Sequence, residues 1–370
     1  MIIKSLELCN YRNYETLRMD LEEGTNILHG NNAQGKTNIL ESIYLTATTK
    51  SHKGSKDKEI IRFGEEQGHI KIVLEKYELT HIIDIHLRNH STKVIAINQQ
   101  KIKKATELLG LLNVVFFSPE DLGIIKEGPS KRRRFVDMEL CQLDKYYLYN
   151  LDQYNKIINQ RNKLLKDITY NASLIDTINI WDAQLYSYGS KVIEKRENFI
   201  EQINEILYDI HKKLSGDHEE LSIQYEPNIT IDQYEKSLEN NQGKDIRSKQ
   251  TSVGPHRDDF VFIINGVDIR KYGSQGQQRT AVLSLKLAEL ELMKKITKEN
   301  PILLLDDVLS ELDSKRQNYL LNTIGNIQTI VTGTGIEEFV KNRFQINKVF
   351  EIKSGTIIDE NINEIEVLNN

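Results

Sequence analysis

The chain has 370 residues, of which 39% are hydrophobic, 28% charged and 7% aromatic, a length that corresponds to two domains or to one large domain with an insertion. No stretch approaches the roughly 18 uninterrupted apolar residues of a membrane span, and two distant cysteines, Cys9 and Cys141, exclude both a disulfide framework and a cysteine zinc cluster. The net charge of −5 excludes a uniformly basic nucleic-acid binder, though not a local basic surface.

The first residues carry neither an apolar h-region nor a small-residue cleavage site, which predicts a cytoplasmic protein without membrane association. Residues 2–30 read as two strands around a turn: 2–8 alternates in part, Glu22-Glu23-Gly24 punctuates, and 25–28 is a short buried strand. Residues 37–45 have helical spacing, with Ile39, Leu40, Ile43 and Tyr44 on one side. An antiparallel meander follows over 69–98, with strands at 70–74, 79–87 and 93–97.

From Leu140 the apolar residues recur in steps of three and four, first over 140–168 and then over 174–214. This predicts two long antiparallel helices joined at 169–173, with a break at Gly189-Ser190. A packed helical bundle and a protruding coiled-coil arm both satisfy the pattern. Beyond about residue 218 a mixed pattern returns. Asn265-Gly266, between 260–264 and 267–269, is the dipeptide of a type I′ hairpin. A helix is predicted over 277–296, a fully apolar parallel strand over 302–305 and its neighbour over 329–331. The expected fold class is α/β, a mixed or parallel sheet with an antiparallel β subdomain, split over 1–122 and 245–370 around an inserted α-helical domain at 123–244.

Three motifs carry chemistry. Gly30-Asn31-Asn32-Ala33-Gln34-Gly35-Lys36-Thr37 matches G-x-x-x-x-G-K-[ST] between a predicted strand and a predicted helix. In such a loop backbone N–H groups and the helix N-terminus converge on a nucleotide's phosphates, the lysine (Lys36) reaches the β- and γ-phosphates, and the hydroxyl (Thr37) binds Mg²⁺. The apolar run 302–305 delivers Asp306 and Asp307 to a strand's C-terminal end, where ligands bind in parallel sheets. Asp306 is expected to hold Mg²⁺ and Asp307 to orient or deprotonate the attacking water. Ser274-Gln275-Gly276-Gln277 opens the predicted helix. Ser274 there is either a plain N-cap or, with Gly276 and Gln277, a γ-phosphate site acting on a nucleotide held by another subunit.

The order of these motifs resembles the ABC-type ATPase heads of the SMC group. In that likeness Ser310-Glu311-Leu312-Asp313 is similar to the D-loop, placing Asp313 there, and Ser118-Pro119-Glu120-Asp121 stands at the Q-loop, placing Glu120 there. More specifically, the chain resembles the RecF family. The likeness rests on Asn10-Tyr11-Arg12-Asn13-Tyr14, the segments 115–122, 128–135 and 305–313, and Gly254-Pro255-His256-Arg257-Asp258-Asp259. The resemblance implies ATP and Mg²⁺ as cofactors and an ATP-dependent homodimer. It implies binding to gapped or single/double-strand junction DNA, and promotion of RecA loading with RecO and RecR. The chain departs from transporter ATPases in Asp307 in place of Glu, Thr332-Gly333 in place of a switch His, and Gln275 in place of a signature Gly; the shorter carboxylate and the missing His predict slow hydrolysis.

Lys50 and Lys53, which follow the phosphate-loop helix and are expected near the ATP face, and the run Lys131-Arg132-Arg133-Arg134 are candidate DNA contacts, with a solvated helix face or a structural ion pair as the alternative. Arg12 and Arg257 are alternative nucleotide contacts, and His81, His86 and His90 read as spaced surface residues rather than a metal site. Two other functions remain open: an ATP-gated protein-binding scaffold and the ATP-binding subunit of a transporter.

Overall fold

The structure, a computed structural model, describes residues 1–335 and 346–360. Two compact units divide the chain: Met1–Asp121 with Glu289–Asn370, and Leu122–Ala288. In chain order the first unit contributes β1 (Ile2–Tyr11), β2 (Tyr14–Asp20), β3 (Thr25–His29), α1 (Lys36–Thr48), α2 (Asp57–Ile60), β4 (Gln67–Lys76), β5 (Leu79–Arg88), β6 (Val94–Ile97), β7 (Gln100–Lys101) and β8 (Val114–Phe117). The second holds α3 (Leu122–Lys126), α4 (Pro129–Leu143), α5 (Lys145–Asp167), α6 (Ile178–Ser215), β9 (Leu221–Glu226), α7 (Ile231–Ser248), β10 (Asp259–Ile264), β11 (Val267–Asp268), α8 (Ile269–Tyr272) and the start of α9 (Gln275–Thr297). The chain closes with β12 (Ile302–Asp306), α10 (Ser314–Ile324), β13 (Thr329–Gly333), β14 (Ile346–Lys353) and β15 (Thr356–Glu360).

In the first unit α1 lies between two six-stranded sheets. One is antiparallel, in the order β2-β1-β4-β5-β6-β7. The other, β15-β14-β3-β13-β12-β8, is parallel except for β15. Ile3, Leu6, Ile70 and Ile83 of the first sheet, Ile39 and Ile43 of α1, and Leu304, Ile330 and Phe350 of the second form one buried cluster. Every residue of β12 and β13 is buried, as strands of a covered parallel sheet must be, which is why 302–305 is apolar without alternation.

Residues 2–30 hold three strands rather than two. The missed reversal is at Arg12-Asn13, where Asn10 and Arg12 take left-handed φ values of 48° and 51°; it contains neither Gly nor Pro, the strongest turn markers.

In the second unit α6 runs unbroken for 38 residues, so the expected break at Gly189-Ser190 is absent. Gly189 instead permits close approach: a Cβ there would lie 2.7 Å from Tyr234 Cε1 and 3.1 Å from Tyr154 Cε2. Tyr154, Ile157, Leu185, Ile193, Tyr234 and Leu238 form a core shared by α5, α6 and α7. The helix packs on α5, α7 and β9, which is the packed alternative and not a free arm. A 3₁₀ turn, Ala172–Thr177, joins α5 to α6.

The stretch 245–288, expected with the nucleotide-binding part, groups with the helices. The reason is strand pairing: β10 runs antiparallel to β9 from Asp259↔Glu226 to Ile264↔Leu221, a pairing that local periodicity does not report. The predicted hairpin is present, with φ of 50° at Asn265 and 81° at Gly266.

Candidate functional site

β3, β13 and β12 are parallel neighbours, and their C-terminal ends bring three segments together. The loop Gly30–Gly35 leaves β3 and enters α1, Asp306 and Asp307 leave β12, and Thr332 nears the end of β13. This is the sheet edge at which parallel α/β proteins bind ligands.

The loop's glycines are needed by its backbone. Gly30 has φ of 135° and would place a Cβ 2.4 Å from the Ile352 carbonyl; Gly35 has φ of 113° and would place one 2.5 Å from Asn13 Nδ2. Asn13 ties the loop down, donating from Nδ2 to the Gln34 carbonyl at 2.9 Å and accepting from Asn38 Nδ2 at 2.8 Å. Ser354 N–H donates to Gln34 Oε1 at 2.5 Å. Lys36 Nζ folds back on the loop, donating to the carbonyls of Gly30 (2.5 Å) and Asn31 (2.9 Å). Burial lowers the Lys36 pKa, and the nearby Asp307 and Asp306 carboxylates oppose that shift.

Asp306 is buried and accepts two hydroxyl hydrogen bonds at Oδ1, from Thr37 Oγ1 at 2.8 Å and from Thr332 Oγ1 at 2.9 Å. Burial raises its pKa, against the pull of those two bonds and of the Lys53 charge. Asp307 has a left-handed φ of 55°, and its N–H donates to Thr332 Oγ1 at 2.9 Å. A polar cavity of about 210 Å³ lies over these groups, lined by the loop, Thr37, Asn38, Lys53, Asp306, Asp307 and Thr332. It is smaller than the roughly 300–1,000 Å³ of a pocket for a whole small molecule, a size suited to a phosphate tail. A second groove of about 890 Å³ shares Asn38 and Lys53 with it and includes Arg12, Asn13, Arg62 and Phe63.

The loop, Lys36, Thr37, Asp306 and Asp307 thus meet in one cavity. Lys53, a candidate DNA contact expected near the ATP face, lines that cavity. Asn13 and Asn38 are absent from the sequence-based site, and Thr332 enters it only as the residue in place of a switch His; the Asn10–Tyr14 segment of the resemblance is the available signal for Asn13. Glu120 is exposed in the 3₁₀ turn Pro119–Asp121 and does not line the cavity. Arg12 is committed to Glu41, Nε to Oε2 at 2.8 Å and Nη2 to Oε1 at 2.6 Å. Asp313 caps α10 through the Arg316 N–H at 2.9 Å.

In the second unit Ser274 and Gln277 cap α9 reciprocally. Gln277 N–H donates to Ser274 Oγ at 3.2 Å, and Ser274 N–H donates to Gln277 Oε1 at 2.9 Å. Gly276 has no local need to be glycine: its φ is not left-handed, and a Cβ would meet nothing nearer than Ser274 Oγ at 3.8 Å. The basic run divides by environment. Arg132 is buried, bidentate to Asp259 at 2.6 and 2.9 Å and bonded to the Glu127 carbonyl at 2.7 Å. It is a structural residue, and its assignment to a DNA surface is corrected. Arg133 Nη1 donates to the Asp258 carbonyl at 2.6 Å, Lys131 pairs with Glu127 at 2.9 Å, and Arg134 and Lys50 are exposed.

The segment 254–259 serves packing. Arg196 Nη1 donates to the Pro255 carbonyl (2.7 Å) and to Asp258 Oδ2 (2.8 Å), all buried. Arg257 is exposed and donates to the Thr251 carbonyl at 3.3 Å. His69 and His86 stack at 4.4 Å, and among the described residues no three His, Cys, Asp or Glu side chains are placed to hold a metal ion. Among the described residues no helix is long and apolar enough to cross a membrane.

Comparison with known proteins places this geometry in a family. The RecF/RecN/SMC N terminal domain matches residues 2–357. The DNA replication and repair protein RecF of Agathobacter rectalis is 59% identical over 97% of this chain and 100% of its own, and that of Lachnospira eligens is 58% identical over 98% and 100%. Among solved structures, the recombination mediator protein RecF–ATP of the RecFOR pathway superposes with a TM-score of 0.90 at 36% identity, covering 97% of each chain. The Smc head domain of Pyrococcus furiosus, at 17% identity and a TM-score of 0.58, shares the fold. The chain belongs to the RecF family.

Proposed function

We propose that the protein is an ATP-dependent DNA-binding protein of replication and recombinational repair. Its first unit holds ATP and Mg²⁺, and its ATP-bound homodimer grips gapped or single/double-strand junction DNA. The observation that carries this reading is the Thr37–Asp306 hydrogen bond of 2.8 Å beneath the Gly30–Lys36 loop. It brings a hydroxyl and a carboxylate suited to Mg²⁺ to the mouth of a phosphate cavity. The ATP-bound state of a 36% identical family member supports the same assignment.

In this reading the N–H groups of residues 31–37 cradle the phosphates. Lys36 exchanges the carbonyls of Gly30 and Asn31 for phosphate oxygens. Thr37 and Asp306 hold Mg²⁺, which supplies charge neutralisation for phosphoryl transfer when bound. Asp307 orients or deprotonates the attacking water. Its short side chain, with Thr332 where a switch histidine would act, favours slow turnover, below about 1 s⁻¹. Ser274, Gly276 and Gln277 act in trans on the nucleotide of a second copy: Gly276 leaves open space at an exposed helix N-terminus without any need of the local fold. Asp313 and Glu120 are D-loop and Q-loop counterparts. Lys50, Lys131, Arg133 and Arg134 are the basic side chains kept as DNA contacts, RecR and RecO are the partners, and RecA loading in the cytoplasm is the output.

The test is fluorescence anisotropy of a labelled gapped duplex, with and without ATP·Mg²⁺ at two salt concentrations, alongside Lys36→Ala. Salt-sensitive binding that needs ATP and is lost in the variant is expected. Equal binding without nucleotide, or none under any condition, overturns the reading.

A further inference from the structure

Thr332 bridges both members of the acidic pair. It is buried on β13, directly across the ladder from Asp306 on β12. One hydroxyl serves both halves of the acidic pair: Oγ1 donates to Asp306 Oδ1 at 2.9 Å and accepts the N–H of Asp307 at 2.9 Å. The second bond matters because β12 ends at Asp306, and Asp307 turns away with a left-handed φ of 55°. L-residues visit that region at a cost, and a turn of this kind persists when its surroundings hold it. Here the fixed points are the parallel pairing of β12 with β13, the Ser310 hydroxyl, which donates to the Asp307 carbonyl at 2.9 Å, and the Thr332 hydroxyl, which holds the Asp307 N–H.

The first bond matters because Asp306 Oδ1 is already shared with Thr37 Oγ1. With two hydroxyls on the same oxygen the carboxylate is restrained, and among the described residues Oδ2 accepts no hydrogen bond, which leaves it for a cation. We propose that Thr332 is the positioning residue of the site. It holds the Asp306 carboxylate in the orientation for Mg²⁺ and the Asp307 backbone in the turn that presents its carboxylate to the cavity. The role needs both functions of one hydroxyl, donor and acceptor, which Ser keeps and Val loses at nearly unchanged volume. It rests on the nucleotide reading above, and it assigns Thr332 no contact with nucleotide.

The test compares Thr332→Val, Thr332→Ser and the parent protein. It uses a fluorescent ADP analogue titrated in EDTA and in Mg²⁺, ATP turnover, and thermal unfolding. For Thr332→Val we expect affinity in EDTA to stay within about threefold of the parent, because the loop and Lys36 are untouched. The gain in affinity on adding Mg²⁺ and kcat should each fall about tenfold or more, from the loss of two buried hydrogen bonds. Thr332→Ser should recover both to within about threefold, whatever its thermal stability, since it keeps the hydroxyl. Equal losses in Val and Ser variants, a Val variant with the parent's Mg²⁺ gain and kcat, or a parallel loss of EDTA affinity would each overturn the assignment in favour of plain packing. A parent protein that binds no nucleotide even in Mg²⁺ overturns the nucleotide reading itself, a result separate from any difference among the variants.

Discussion

Thr37 and Asp306 are 269 residues apart in the chain and share a hydrogen bond of 2.8 Å. Their meeting results from β12 and β3 both flanking β13 in parallel, so that the helix entered from one strand and the carboxylate leaving the other finish at the same edge. Asp306 is held there at a cost: burial disfavours its charged form, which Thr37, Thr332 and Lys53 only partly offset.

That balance predicts a trade between stability and activity at Asp306. In Asp306→Asn the amide oxygen still accepts from both hydroxyls, and the buried charge is gone. Stability should stay the same or rise by about 1 kcal/mol. Mg²⁺-dependent ATP hydrolysis should drop about 100-fold or more. Urea unfolding and steady-state turnover on one preparation check both directions.

Gly189→Ala sets two effects against each other. Helix propensity favours Ala over Gly by about 1 kcal/mol. The added methyl, however, would lie 2.7 Å from Tyr234 Cε1 and 2.8 Å from its hydroxyl, both buried. Overpacking of about 1–3 kcal/mol should win, for a net loss of up to about 2 kcal/mol in chemical denaturation.

His256 predicts a pH dependence. Its Nε2 donates to the Thr251 carbonyl at 3.0 Å, so Nδ1 accepts the Tyr154 hydroxyl at 2.7 Å and the ring is neutral. Burial is the main cause that pulls its pKa down to about 4 from 6.5. The folded state therefore binds fewer protons than the unfolded one. The contribution is present in full above pH 6.5 and is lost as pH falls towards 4, up to about 3 kcal/mol. Melting temperature followed from pH 7 to pH 4.5 should fall less steeply in His256→Asn than in the parent.

Arg132→Ala should behave as a core mutation although it lies in a basic run. It leaves Asp259 without its bidentate partner and should cost about 3–5 kcal/mol of unfolding free energy. In the fraction that remains folded, the slope of log K for DNA against log salt should equal that of the parent, because no phosphate contact is lost.

Much of the site could be read from the chain because its determinants are local. The glycines of the 30–37 loop, the apolar run before Asp306 and the Asn265-Gly266 turn each act over a few residues, where spacing and backbone preference suffice. Within the basic run the sequence could not tell which side chain forms the structural ion pair, for the complementary reason: charge is visible in sequence and burial is not. Arg132 and Arg134 are two residues apart on α4, one turned into an ion pair and the other to solvent.

The sequence by itself determined the phosphate loop, the acidic strand end, the Asn265-Gly266 hairpin and the long helical pair. All of these follow from periodicity, turn chemistry and motif spacing within short windows. Only the tertiary structure decided that β9 pairs with β10 and draws 245–288 to the helices, that Gly189 marks a close contact with two tyrosines, and that Arg132 is the buried member of the basic run. It also decided that one threonine hydroxyl joins Asp306 to the backbone of Asp307. These depend on which surfaces meet across long stretches of chain, and that is set by the packing of whole elements rather than by any residue's neighbours in sequence.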